Sequence, residues 1–338
     1  MRATLRTACF ALAALAGSSH AAAPEELVKR AIATACTDPA PELGGMAKAI
    51  GGVETSSEEP IAPGGAVIGW RRIFERNGSE LAVQRIAPGG RLRRVSVQLS
   101  IIRNGVKLPA LLAVAAGDCE IRSARRLTYD ATGAAETIVG LDADFQPLGE
   151  PELLNPAVPA GDDVGGVPVA LFDSGVNYLL PEIAARLARD ERGAILGYDF
   201  WDMDDRPFDA NPARSAFFPQ RHGTQTASVL LDEAPVARLV PYRYPRPDMH
   251  RMATLLEDAA GKGVVVFNLS LGSDKPDEWE VFAEAARAHP DMLFVVSAGN
   301  NDRDIDREPV YPAALVLDNM ITVTSSVAHR EPAGGANW

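Results

Sequence analysis

The chain has 338 residues, 46% of them hydrophobic and 23% charged, a balance that suits two globular domains and excludes a globally disordered protein. Lysine and arginine number 33 against 45 acids, and the resulting net charge of −12 repels nucleic acid and anionic lipid surfaces. No heptad run, low-complexity tract or internal repeat punctuates the chain.

The first element is a targeting signal. Arg2 and Arg6 precede the short apolar run Ala8 to Gly17, and small residues follow, which reads as a secretory signal peptide over 1–21 with a mature start near Ala22. A membrane span needs roughly 20 apolar residues. This run is too short, so no membrane anchor is expected and the protein is placed outside the cytoplasm, secreted or periplasmic. Cys9 leaves with the signal, and Cys36 and Cys119 remain in a compartment where disulfides persist; the pair forms one bridge or two separate buried thiols.

From Gly64 to Asp144 the chain reads as strands and turns. Val95, Val97, Leu99 and Ile101 alternate with Ser96, Gln98 and Ser100, and Asn104-Gly105 and Asn77-Gly78 are hairpin turn signals. Residues 22–150 are therefore expected to form a small, mostly-β domain, with Arg91, Arg93 and Arg94 on a solvated strand face. Pro147 to Gly166 is rich in Pro, Gly and Asp, and the linker is placed at 151–166.

After the linker the rhythm changes. Continuous apolar runs recur at Val167 to Phe172, Ala237 to Pro241, Val264 to Leu269, Leu293 to Val296 and Met320 to Val323. Helical stretches separate them at about Gly223 to Leu231, Met249 to Ala260 and Glu278 to Ala288. Buried strands alternating with helices predict an α/β domain over 167–338, with a mostly parallel sheet covered by helices on both faces. Ligands of such sheets sit at the carboxyl ends of the strands.

Polar residues at those ends are the candidate site. Asp173 ends the first run and is followed by Ser174-Gly175; alone it also suits a metal, a phosphate or a turn. His222 opens the helical stretch after His222-Gly223-Thr224, where the helix dipole disfavours imidazolium and so keeps the ring neutral, as a general base requires; a surface histidine near a cap is the alternative. Asn300 ends Val295 to Asn300, where its amide can donate to a developing oxyanion or simply occupy a left-handed turn. Asn268 to Gly272 ends the preceding strand and leaves an edge open to an extended peptide.

Asp, His and Asn thus follow one another at strand ends, 49 and then 78 residues apart, each inside a short motif. Together with Tyr198-Asp199-Phe200, the acidic stretch Asp202 to Asp209, and Tyr311-Pro312-Ala313 before Ile321-Thr322-Val323, they resemble the subtilisin-like serine proteases, the subtilase family. The resemblance covers about Val167 to Trp338. It implies that Asp173 orients His222, that His222 is the general base and that Asn300 supplies the oxyanion hole. It also implies that Ser270, Leu271 and Gly272 on one side and Ser297, Ala298 and Gly299 on the other bind the substrate backbone. The partner is then a peptide or protein substrate.

The chain departs from the family in one respect above all. The resemblance implies a nucleophilic serine in a Gly-Thr-Ser-Met-Ala-like segment opening a helix, and after Asn300 the chain has only Ser325 and Ser326, without that context. The expectation is a serine endopeptidase by family whose serine lies beyond the end of this chain, with a peptidase domain incomplete at its C-terminus and inactive as it stands. The alternative is a secreted, non-catalytic peptide-binding pseudoprotease. Residues 22–150 occupy the place of a propeptide or of a retained accessory domain. Gln225 replaces a second histidine, and Ala213 to Gln220 enlarges the approach to His222. No cofactor is expected to be required; Asp202, Asp204, Asp205 and Asp209 offer oxygens that suit calcium, or else form a solvated acidic loop.

Overall fold

Glu25 and Glu26 in the first turn, and a stripe of Leu27, Val28, Ala31, Ile32 and Ala35, make the first described element a helix, α1 (Pro24–Thr37). The computed structural model describes residues 23–37, 43–76, 78–244, 248–327 and 331–338. The expected signal peptide over 1–21 and Asn77 of one expected turn lie outside the described residues. The chain divides into two units, residues 1–107 with 113–123, and residues 108–112 with 124–338.

In the first unit α1 packs against a second helix, α2 (Leu43–Ile50). Neither helix is among the elements expected from the sequence, although the α1 stripe has helical spacing. Four strands follow: β1 (Glu54–Ile61), β2 (Gly69–Arg76), β3 (Ser79–Ile86) and β4 (Arg94–Arg103). They form an antiparallel meander, with Leu81 opposite Leu99 and Val83 opposite Val97. Val95, Val97 and Leu99 are buried and Arg91, Arg93 and Arg94 exposed, as expected, but the alternation breaks near the end of β4, where Ser100 is fully buried and Ile101 only half-buried. Asn104 and Gly105, with φ of 52° and 78°, turn the chain into β5 (Val106–Ala116), the geometry that Asn-Gly favours. A disulfide joins Cys36 of α1 to Cys119, Cα to Cα 5.9 Å, and Arg85 of β3 donates to the Ala35 carbonyl one residue away at 3.0 Å.

The second unit contains most of β6 (Ile121–Tyr129), the antiparallel strands β7 (Ala135–Leu141) and β8 (Glu152–Leu153), and a six-stranded parallel sheet. The segment 151–166, expected as a linker, is fastened along this unit. The Asn155 amide donates to Asp204, Leu154 is buried, and Asp163 accepts from the backbone of Arg189 and pairs with Arg238. The parallel sheet is built from β9 (Val167–Asp173), β10 (Tyr198–Asp199) after the short helix α3 (Pro181–Ala184), β11 (Ala237–Arg243) after α4 (His222–Glu233), β12 (Val266–Leu269) after α5 (Met252–Gly261), β13 (Leu293–Ser297) after α6 (Glu280–Ala288), and β14 (Met320–Val323). Their order is β10-β11-β9-β12-β13-β14.

One face of this sheet carries Phe172, Tyr242, Phe267 and Phe294 into a core closed by Leu255 and Leu256 of α5 and Phe282 and Ala286 of α6. The other face carries Leu171 and Leu239 toward Ala227 of α4. Leu171, Asn268, Val295 and Ile321 lie in register across β9, β12, β13 and β14 on that second face. Exposure rises along the row: Leu171 is buried, Asn268 and Val295 half-buried, and Ile321 half-exposed at 50%. Helices flank the sheet as expected, but the second face of β12 to β14 has no helix over it among the described residues. No helix of the described residues is long and apolar enough to cross a membrane.

Candidate active site

β9 ends on Asp173 because its last four apolar residues are buried and the chain turns immediately at Ser174-Gly175. Asp173 is 2% exposed, an expensive position for a charged carboxylate unless hydrogen bonds replace water. The Ser174 backbone N–H donates to Oδ1 at 2.7 Å, and the Thr226 hydroxyl donates to Oδ2 at 3.3 Å. His222, the first residue of α4, completes the set: its Nδ1 lies 2.8 and 2.9 Å from the two carboxylate oxygens. The ring is half-exposed, its Nδ1 edge tied to Asp173 and the rest open to a cleft.

A second carboxylate supports this pair. Asp209, 0% exposed, accepts from the Ser174 hydroxyl at 2.6 Å, from the backbone N–H of Thr224 at 2.7 Å and from the Thr224 hydroxyl. The Ser174 oxygen in turn accepts from Gly223 N–H at 2.9 Å. Asp209 and Ser174 together therefore satisfy open N–H groups at the start of α4, Asp209 that of Thr224 and Ser174 that of Gly223, where α4 has no capping side chain of its own at Arg221, and they hold β9 and α4 in one register. Burial pushes its pKa up, while the three hydrogen bonds pull it down. Nothing in the sequence distinguished Asp209 from its acidic neighbours.

The acids of the 202–209 stretch go to separate partners. Asp202 pairs with Arg243, Asp204 with Arg206 and Asn155, and Asp209 with Ser174 and Thr224. Asp199, buried beside Arg243 at 2.8 Å, is pushed up to about 6 by burial, which outweighs the attraction of that guanidinium. No group of three or more His, Cys, Asp or Glu among the described residues is arranged to hold a metal ion.

The cleft holds about 530 Å³ and opens at the carboxyl ends of β9, β12 and β13. Asp173 and His222 form one wall; Ser270, Leu271 and Gly272 line one edge, and Ser297, Gly299 and Asn300 the other. Ala298, expected beside them, is 2% exposed and faces inward, so it contributes backbone alone. Asn300 is exposed at the cleft. Gly299, with φ of +101°, makes the turn that presents it.

That turn is held by a residue the sequence did not flag. Asn337 is fully buried; its Nδ2 donates to the Ala298 carbonyl at 2.8 Å, and its Oδ1 accepts from the N–H groups of Asn301 at 2.8 Å and Arg303 at 3.1 Å. Its own N–H donates to Gly299 O at 3.0 Å. All four partners are backbone groups flanking Asn300, and a Cβ on Gly299 would lie 2.6 Å from the Asn337 amide.

The electrostatics of His222 reverse one expectation. The helix start was expected to keep the ring neutral; instead the hydrogen bond to Asp173 raises the imidazole pKa above its ordinary 6.5, against the opposing effect of burial. A full carboxylate charge at 2.8 Å outweighs the half-charge of a helix terminus. Because the folded value exceeds the unfolded one, the pairing contributes its full stability below about 6.5. That contribution is lost as pH rises through the folded value. An Asp173→Asn variant is expected to bring the His222 pKa down to or below its ordinary value. Titration of the ring Cε1–H by NMR measures this, and an unchanged midpoint would show that Asp173 is not its cause.

The model of the subtilase family of peptidases matches residues 165–333, half of the chain. No curated protein matches. Among solved structures, "PatG macrocyclase in complex with peptide" aligns over 52% of this chain at 13% identity and a TM-score of 0.32. That alignment spans 62% of the other chain, less than two thirds of its length.

Proposed function

Because the chain belongs to the subtilase family, a family of serine peptidases, we propose that it is the greater part of a secreted endopeptidase in which Asp173, His222 and an incoming serine form the triad. The observation that carries this reading is the Asp173–His222 pair, which fixes one ring nitrogen on a buried carboxylate and leaves the other directed to a peptide-sized cleft. In that arrangement His222 takes the serine proton as the hydroxyl attacks the scissile carbonyl, and Asp173 stabilises the imidazolium that results. The elevated His222 pKa is the same interaction in the resting state. In this reading Asn300, exposed at the same cleft, donates its side-chain amide to the carbonyl oxygen as that oxygen gains charge. Ser270 to Gly272 and Ser297 to Gly299 offer two open backbone edges to an extended peptide.

The serine is proposed to come from outside these 338 residues. Four serines line the cleft, and each is committed: Ser174 to Asp209, Ser270 to Asn268, Ser273 to Glu278 and Trp279, and Ser297 to the Gly299 N–H. None hydrogen-bonds to His222. The bare second face of β12 to β14, with Ile321 and Val323 half-exposed at its rim, suits a helix that would carry the nucleophile beside His222. The same commitment of the serines favours a second reading, a domain that binds peptides without cutting them. Fluorophosphonate labelling of the full-length secreted protein separates the two. The peptidase reading expects a labelled serine and loss of labelling in His222→Ala; a correctly folded protein that binds peptide and is never labelled establishes the second reading.

A further inference from the structure

The loop that precedes α4, residues 212–219, carries Arg214 into the cleft wall. The loop is pinned at several points. Asn211 and Gln220 close its base with reciprocal backbone hydrogen bonds of 3.1 and 2.9 Å, and the Ala213 N–H is held by the Asn211 side chain at 2.9 Å. At its far side Phe217 is 1% exposed in the α4-side core, its carbonyl accepts from Arg125 at 2.9 Å, and the Arg125 guanidinium lies 4.3 Å over the Phe218 ring. These anchors fix the backbone while leaving Arg214 exposed between them.

The charges around the cleft are otherwise spent. Asp173 is paired with His222, Asp274 with Arg303 at 3.1 Å, and Glu278 with Lys275 and Ser273. Arg221, seven residues on, is bonded to Glu152 and to the Asp209 carbonyl. Arg214 has no acidic partner among the described residues, and it lines the same cleft as His222. A guanidinium so placed, in a chain whose net charge is −12, is a local positive point in a negative field.

We propose that Arg214 is a specificity-determining residue that selects peptides bearing an acidic side chain next to the bond held at His222. The inference deepens the peptide-cleft reading above and rests on it. A carboxylate there forms a charge-assisted pair with Arg214; a lysine meets repulsion, and a glutamine gains neither. Because the contact is solvent-exposed, it acts mainly as discrimination among sequences and is screened by salt.

The test uses the 338-residue protein itself, which needs no nucleophile to bind. Fluorescein-labelled hexapeptides of alanine, each with a single Glu, Gln or Lys stepped through the central four positions, are titrated by anisotropy at low salt and again in 1 M NaCl. The expected result is a Glu preference over Gln of about fivefold at one or two adjacent positions, collapsing toward unity at high salt. Arg214→Gln is expected to abolish the preference, Arg214→Lys to retain part of it, and Arg214→Glu to transfer it to the lysine peptide. Equal binding of Glu and Gln peptides at every position overturns the role of Arg214 alone. Failure of every peptide to bind the folded protein overturns it together with the cleft reading. Loop variants are compared by unfolding midpoint, and Phe218→Ala, which removes a loop anchor without touching the charge, is expected to weaken the preference rather than reverse it.

Discussion

Gly223→Ala is expected to unfold or severely loosen the site, because the added Cβ would lie 2.0 Å from the Gly175 carbonyl oxygen and 3.1 Å from the Asp173 Cβ. Neither neighbour is a flexible side-chain end, so α4 has to move away from β9. Three contacts are lost together when it does: Gly223 N–H to Ser174, Thr224 N–H to Asp209, and His222 to Asp173. Overpacking costs about 1–3 kcal/mol, and hydrogen bonds to buried carboxylates are worth about 1.5–3 kcal/mol each. The effects overlap, so a loss of roughly 3 kcal/mol or more is expected in the urea unfolding midpoint. The His222 pKa is expected to fall at the same time, which a purely global loss of stability would not produce in the remaining folded molecules. The matched control is Gly261→Ala at the end of α5, where nothing lies within 4 Å; it is expected to be neutral or stabilising by up to about 1 kcal/mol. Equal effects at the two glycines would refute the close-approach account.

The second large effect is expected at Asn337. Leucine at this position has similar volume and removes both halves of the amide, leaving the buried Ala298 carbonyl without its donor and the N–H groups of Asn301 and Arg303 without their acceptor. An unsatisfied buried backbone group costs about 1–3 kcal/mol, and the two N–H groups lie near enough to the surface for water to reach them. A loss of roughly 2–4 kcal/mol follows, confined in its origin to the turn that presents Asn300. Amide hydrogen exchange is the sharper measurement: Asn301 and Arg303 are expected to lose protection while β9 and β11 keep theirs. Asn337→Asp retains the acceptor and loses the donor, so it is expected to preserve protection at Asn301 and Arg303 while still costing stability at Ala298. Wild-type protection throughout Asn337→Leu would mean that the turn holds itself.

The parts of the fold legible in the sequence are those encoded over a few residues. Val167 to Phe172 reads as a strand because a strand buried on both faces is largely apolar, and Met320 to Val323 reads as one by the same apolar pattern although β14 is mostly exposed among the described residues; each lies within or matches an observed strand. Asp173 and His222 stood out because polar residues at a strand end and a helix start are placed where this architecture keeps its ligands. The α1 stripe of Leu27, Val28, Ala31, Ile32 and Ala35 has helical spacing and is equally local, although the expectation for this part of the chain is mostly strands. Asp209 and Asn337 had no local signature. Their partners lie 15 to 39 residues away along the chain and are largely backbone N–H and C=O groups, which every residue possesses and which therefore leave no mark on composition or spacing.

The family, the parallel sheet and the two residues that pair at the cleft, Asp173 and His222, were legible from the amino-acid order, since each rests on residue type and short-range order. Only the folded arrangement sets which of the clustered acids supports α4, which asparagine holds the turn behind Asn300, and in which direction the His222 pKa moves. The physical reason is common to all three. Burial and hydrogen-bond geometry set the energy of a polar group, and both exist only after β9, α4 and β13 have been brought to one edge of the sheet.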